Sequence, residues 1–420
     1  MITPEEFPYI KSLHVNDCYT YKDFDIVLYP EHKPFSHLIL TGKNGSGKST
    51  ILLSADANLS FYRKSIDVET LKNQYKLDLS LYSIKHHSPS IVNSSNDDTR
   101  SKLKYVSNLS INFINYLKLY WHINSPITIY SYLKARRESK VSQVSTISKE
   151  DDFIENLKKS TKQDYFISQF KQYLVNKKVT QAFDQIEGNS AKIQATDIFF
   201  NKLTNVIRDI LEDNGLELVF AREKFEFYIR LSDGRELTFD TLSEGFSALL
   251  SILMDLFMRV DLIRKQVNDY TYDPCGIVLI DEPETHLHLE LQYQVLPLLT
   301  SLFPNVQFIA ATHSPAVISS IKNATIFDLT TKETQTDEVA GKSFSELMVT
   351  HFGLENEYSN VADAIINQVD AILKDTDMNP ATRKQKLQTV YDENSRYLSP
   401  ALKVELELLI AQQEVKYETE

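Results

Sequence analysis

Apolar positions along the chain change period several times, from short unbroken or alternating runs to stripes at three- and four-residue spacing, the pattern of an α/β protein. Residues 8–16, 23–28 and 37–41 read as strands; the last passes through Leu38, Ile39 and Leu40 into a glycine-rich turn, and a helix follows from Ile51. Residues 64–115 are polar, with Ser-Pro and Ser-Ser-Asn-Asp-Asp clusters that read as loops, so an insertion interrupts the fold here. Near its end, 109–121 has helical spacing and 127–132 is β-rich. Amphipathic helices are expected over 152–178 and 195–213, together able to form an arm or lid. Residues 216–220, 225–231 and 237–239 read as small paired strands, with a turn at Asp233-Gly234. An apolar helix over 246–260 precedes two uninterrupted apolar strands, 276–280 and 306–310, of the kind buried on both faces of a parallel sheet. The stretch 340–420 is helical in pattern, with helices at 361–374, 380–395 and 399–413.

A chain of 420 residues, 42% of them hydrophobic, can bury a large core in two or three structural units. No apolar run approaches the roughly 18 to 20 residues that span a bilayer, and the acidic opening Met1-Ile2-Thr3-Pro4-Glu5-Glu6 does not resemble a secretory signal, so a cytoplasmic protein is expected. Cys18 and Cys275 are too few for a disulfide framework or a zinc site and read as small buried hydrophobes. The net charge of −12 excludes a surface covered in nucleic-acid contacts, yet 118–178 carries twelve Lys+Arg against six Asp+Glu, or +6. That stretch is either a solvated helical face or a DNA- or partner-binding surface.

The chemistry is concentrated at residues 42–50, Gly-Lys-Asn-Gly-Ser-Gly-Lys-Ser-Thr, where three of the chain's ten glycines fall within six positions. Gly42, Gly45 and Gly47 free the backbone of Lys43, Asn44 and Ser46 to turn its amides inward as a nest for phosphate oxygens. Lys48 would reach the β- and γ-phosphates, Ser49 would ligate Mg²⁺, and the helix N-terminus with Thr50 would face the anion: a P-loop, or Walker A motif, for ATP. Gly276 to Pro283 is an apolar strand ending in two carboxylates, the form of a Walker B motif. Asp281 would complete the Mg²⁺ shell and Glu282 would polarise the attacking water.

Leu242-Ser243-Glu244-Gly245 before an apolar helix resembles the signature motif of ABC-class ATPases. The resemblance implies that Ser243 and Gly245 close over ATP held by another subunit's P-loop, giving a homodimer through an ATP sandwich, open to assembly into a higher oligomer. It also implies that His313, in Thr-His-Ser-Pro 31 residues beyond Glu282, is the switch histidine that senses the γ-phosphate. Glu284, His286 and His288 alternate in a way that suggests metal binding. The run from Asp281 to Leu289, however, resembles the interface loop of the RecF, OLD and SMC-like branch of AAA-type ATPases, where it would relay between two ATP sites. Phe246 departs from the Glu or Gln of many relatives, and no glutamine is an obvious Q-loop; Arg136 or Arg137 could occupy that neighbourhood.

These motifs imply a P-loop NTPase of ABC-ATPase head type: a mixed sheet flanked by helices, with residues 1–55 as the N-terminal lobe, 56–194 a mainly helical insertion or lid, 195–335 the C-terminal lobe and 336–420 a helical C-terminal region. Asp375-Thr376-Asp377 reads as a helix-capping loop, and neither a TOPRIM domain nor a His-Asn-His nuclease pattern is visible. The tail resembles stand-alone ATPases of anti-phage systems such as Septu and PARIS. A regulator or sensor whose nuclease or toxin effector is a separate chain is therefore expected, with no membrane partner. The alternative is a RecF- or SMC-like ATPase that binds DNA itself in repair or chromosome maintenance.

Overall fold

The structure, a computed structural model, describes residues 1–28, 34–63, 105–123, 125–135, 163–335, 360–375 and 378–419, together with Val144 and Glu346. β1 (Ile10–Asp17) pairs antiparallel with β2 (Lys22–Val27), and its Leu13 and Val15 point into the core while Lys11 and Asn16 face solvent. β3 (His37–Thr41) is buried throughout and feeds α1 (Lys48–Arg63). Residues 109–121, expected as helix, instead form β4 (Leu109–Phe113), a 3₁₀ turn and the short α2 (Leu119–Ile123). Leu109, Ile111 and Phe113 alternate into the core against β1, so the two-residue period prevails, and Asn115 in the left-handed region ends the strand. β5 (Ile129–Leu133) is buried at every position. Both strands lie inside the segment expected to be a mainly helical insertion, and both are built into the head: β4 beside β1, β5 in the central sheet.

After them come α3 (Gln163–Glu187) and α4 (Ser190–Leu211), then an antiparallel sheet of β6 (Glu217–Ala221), β7 (Glu226–Arg230) and β8 (Glu236–Leu237). α5 (Glu244–Val267) is longer than its apolar stretch suggested and leads to β9 (Gly276–Asp281), α6 (Leu289–Leu302), β10 (Val306–Ala311), α7 (Pro315–Ile318), β11 (Ala324–Asp328) and β12 (Glu333–Gln335). The central sheet runs β12-β11-β3-β10-β9-β5, parallel except for β12. The expected α/β architecture, a mixed sheet flanked by helices with the P-loop at a strand end, is what the chain adopts.

Two buried polar ties hold this frame. Gln307, fully buried in β10, exchanges bonds of 2.9 Å with both backbone groups of Ile10 and donates to Ser36 O at 2.8 Å, joining the β1 sheet to the central one. Asp255 on α5 accepts both Arg259 nitrogens, at 2.9 and 3.0 Å, and the Ser131 hydroxyl of β5 at 2.8 Å. α5 is thereby fixed over the sheet edge. Lys177 of α3 binds Asp261 of α5 at 2.7 Å, also buried.

Residues 345–420 form a second compact unit. α8 (Asn360–Lys374), α9 (Pro380–Asn394) and α10 (Pro400–Thr419) share a core that includes Ile365, Leu387, Leu402 and Leu406. The N-cap of α9 is Asn379, whose side chain accepts from Thr382 N at 2.8 Å; Thr376 and Asp377 of the expected capping loop lie outside the described residues.

Removing Asp255 would delete a buried carboxylate that binds the Arg259 guanidinium, only 4% exposed, through two bonds and ties α5 to Ser131 of β5. Asp255→Ala is expected to lower the unfolding free energy by about 3 to 5 kcal/mol, read as a shifted urea midpoint with unchanged slope.

Candidate functional site

The P-loop has the backbone its glycines suggested. Gly42, Gly45 and Gly47 sit at φ +132, +80 and +100, and each serves a different need. A Cβ on Gly47 would stand 2.7 Å from Cys18 O, so the loop packs directly on the β1–β2 turn, whereas a Cβ on Gly45 would meet nothing. Thr20 donates to Gly45 O at 3.3 Å from the same turn. On the other side Lys43 N donates to Thr330 Oγ1 at 2.9 Å, and Asp328 accepts from Thr330 N at 2.7 Å. The loop is thus clasped by two hairpins, a role for residues 18–20 and 328–330 that no local motif announced. Lys43, Asn44 and Gly45 form its exposed rim, while the Ser46 hydroxyl is buried without a hydrogen-bond partner. Lys48 lies over the loop, donating to Gly42 O at 2.9 Å and Lys43 O at 3.3 Å. Burial lowers its pKa, opposed by Glu282, Asp281, Asp328 and Glu284. Ser49 and Thr50 follow in the first turn of α1.

Parallel pairing of β3, β10 and β9 carries the Walker B strand end to this loop. Ser49 Oγ donates to Asp281 Oδ1 at 3.2 Å across 232 residues, bringing together the two residues expected at Mg²⁺. Glu282 leaves β9 at φ +48, a left-handed conformation that costs a non-glycine residue on the order of 1 to 3 kcal/mol. Its amide donates to Ala311 O at 2.8 Å, and Thr285 donates twice to its carbonyl, at 3.2 and 2.8 Å. His313 emerges just past β10. Burial first, then the Lys48 charge, lowers its pKa against the pull of Asp281.

The signature segment lies on the same loop. Ser243 is the N-cap of α5, yet its exposed side chain makes no capping bond. A Cβ on Gly245 would come within 2.3 Å of His286 O, so close backbone approach requires glycine here, apart from any need to expose amides. His286, at φ +63, and Glu244 stand 3.7 Å apart in an exposed pair, and Phe246 packs edge-on against His288 at 6.2 Å. Among the described residues no group of His, Cys, Asp and Glu has the arrangement of a metal cluster of three or more.

The donor set fits ATP with Mg²⁺: three left-handed glycines shape a cradle, a buried Ser46 hydroxyl lacks a partner, and a hydroxyl and a carboxylate meet beside the loop. Sequence reasoning gave no individual contact to Glu284, read as a metal ligand or as part of the expected relay loop, and passed over Gln292. Their contacts are described below. Arg136 and Arg137 lie outside the described residues, as does much of 118–178. No helix of the described residues is long and apolar enough to cross a membrane.

A family model described as "AAA domain, putative AbiEii toxin, Type IV TA system" matches residues 54–319. The chain is 23% identical to the Retron Vc95 probable ATPase of Vibrio cholerae serotype O1 biovar El Tor over 73% of its own length and 71% of that protein. It is 25% identical to the Septu protein PtuA of Bacillus thuringiensis over 67% of each. The resemblance drawn from the motifs to Septu-type ATPase subunits is thus met by similarity over two thirds of the chain. A solved Smc head bound to the C-winged helix domain of ScpA aligns with 76% of this chain and 94% of that one, at 15% identity and a TM-score of 0.35, too distant a likeness to define a shared fold.

Gly45 and Gly47 should separate experimentally. Gly47→Ala adds a clash with Cys18 O to its backbone strain, whereas Gly45→Ala adds strain of about 1 to 3 kcal/mol alone. With a fluorescent ATP analogue, Gly47→Ala is expected to bind at least about tenfold more weakly than Gly45→Ala.

Proposed function

The chain belongs to the family described as AAA domain, putative AbiEii toxin, Type IV TA system, and from that premise we propose that it is an ATP-binding and ATP-hydrolysing switch. The observation that carries this is the meeting of Ser49 with Asp281 at 3.2 Å beside Lys48, Glu282 and His313. In this reading Gly42 to Thr50 hold the triphosphate, and Ser49 with Asp281 hold Mg²⁺. The ion, when bound, neutralises charge on the β- and γ-phosphates. Glu282 takes the proton of a water as its oxygen bonds to the γ-phosphorus and the bridge to the β-phosphate breaks, releasing ADP and phosphate. His313 has a ring N–H to donate to a γ-phosphate oxygen, and Lys48 balances the charge there. Ser243, exposed and unused as a cap, and the first amides of α5 complete the site of a second copy, so two chains close around two nucleotides.

The biological setting follows from the relatives. Proteins named as a retron ATPase and a Septu protein match most of the chain, and the motifs resemble ATPase subunits of anti-phage systems. The protein acts in the cytoplasm as the nucleotide-gated regulator of such a system, with a separate nuclease or toxin chain as effector.

Glu282→Gln keeps the side-chain shape while removing the base. It is expected to bind ATP, to cut turnover by about 100-fold or more, and to elute as a stable ATP-dependent dimer in size-exclusion chromatography. Undiminished turnover would remove Glu282 from the mechanism. Tagged Glu282→Gln protein, recovered from its native host with ATP and Mg²⁺, is expected to carry a nuclease or toxin chain in stoichiometric amount, identified by mass spectrometry.

A further inference from the structure

Glu284 stands two residues past the proposed base and does something different from it. Its Oε1 accepts three hydrogen bonds from the next loop: the Thr312 hydroxyl at 2.5 Å, the His313 amide at 2.9 Å and the Ser314 amide at 3.2 Å. Its other oxygen, Oε2, is buried and has no hydrogen-bond partner. Burial raises the carboxyl's pKa, opposed by the bonds from Thr312 and His313. A carboxylate that serves only packing would not keep an orphaned oxygen out of water, because each such group costs on the order of 1 to 3 kcal/mol or more.

A second link runs beside it. Gln292, in the first turn of α6, donates to Leu287 O at 2.8 Å, and its Oε1 accepts from the Ser314 hydroxyl at 2.6 Å. Ser314 Oγ in turn accepts from Val317 N, capping α7. The loop 282–288 is therefore joined to the loop 312–314 at two points. At its far end the same loop lies against the signature segment, where His286 O excludes any side chain at Gly245.

We infer that Glu284 and Gln292 form a two-point clamp that positions His313, so that the loop packed on the start of α5 sets where the γ-phosphate sensor stands. Both act through residues 312–314: Glu284 holds the Thr312 hydroxyl and the His313 and Ser314 amides, and Gln292 holds the Ser314 hydroxyl. A shift of the signature end, when a second copy closes on it, then moves His313 of the same chain, which couples assembly to hydrolysis within one protomer. This deepens the ATPase reading and rests on it wherever hydrolysis is the readout.

The test pairs a kinetic cycle with a structural readout. Glu284→Ala is expected to lower kcat by about tenfold while leaving KM for ATP within about threefold, the sign of a residue that acts after binding. His313→Ala introduced on that background should cost little more, because both substitutions remove one function. Glu284→Gln, which keeps one acceptor oxygen, should recover most of the rate. Losses that multiply, or a kcat that does not move, would overturn the clamp.

Hydrogen exchange measured by mass spectrometry on the same proteins follows the amides of His313 and Ser314, the two that Glu284 accepts. Glu284→Ala should expose them while the β9 and β10 amides stay protected. Unchanged protection overturns the proposal. Should Glu284→Ala fail to fold, Gln292→Ala tests the second point, with a smaller loss of protection at Val317, whose amide the Ser314 hydroxyl caps. A wild-type protein with no hydrolysis would refute the ATPase reading, and the exchange result alone would then decide the clamp.

Discussion

The parallel pairing of β3, β10 and β9 is the constraint on which the remainder of the site depends. Each strand is buried on both faces, and register places Leu40 beside Ala311 and Ala311 beside Asp281, so three strand ends finish at one edge. Ligands of open α/β sheets bind at that edge because the loops leaving it are free of sheet pairing and helix N-termini face it. Here the loops are the glycine-rich loop 42–47, the turn at Glu282 and the His313 segment. A slip of one residue in either pairing would turn Asp281 away from Ser49, since strand side chains alternate faces. The polar ties at Gln307 and Asp255 therefore matter beyond stability: each fixes an element that brackets this edge.

The P-loop was legible because its geometry is decided within nine residues: glycines permit the turn, and the lysine and serine follow at fixed offsets. The Walker B strand end was legible for a similar reason, an apolar run closing on two carboxylates. The strands and the long apolar helix were readable from their periods. What escaped were contacts between segments far apart in sequence. Gln307, inside a strand read as apolar, bonds Ile10 across 297 residues. Glu284 and Gln292 find their partners 22 to 30 residues away, at distances set by the β9–β10 pairing and not by any local pattern. β4 was misread because 109–121 satisfies both periods, and only the neighbouring β1 selects between them. Local propensity cannot make that choice, since cross-strand burial decides it.

Gly245 shows how a motif can be recognised on one ground and required on another. A glycine at a helix N-terminus suggests exposed amides and positive dipole for an anion. The carbonyl of His286, which a Cβ would meet at 2.3 Å, supplies an independent reason within the same chain. Phe246, where many relatives carry a polar residue, fits the same contact: its ring lies edge-on to His288 and widens the apolar seat of the loop.

This arrangement gives the loop 282–288 three neighbours with different chemistry: the proposed base at its start, the His313 segment bonded through Glu284, and the signature helix at its end. Glu282 and His286, the two positive-φ residues of the loop, lie at its two ends and bracket Glu284. Backbone held in a costly conformation persists only where surrounding contacts over-determine it. Those contacts are Ala311 and Thr285 at one end and Gly245 at the other. A loop restrained at both ends transmits displacement as a body, because its middle has no slack to absorb it. On the proposed reading the base and the sensor then answer to the same motion, and nucleotide is turned over only when both are in register with the second copy.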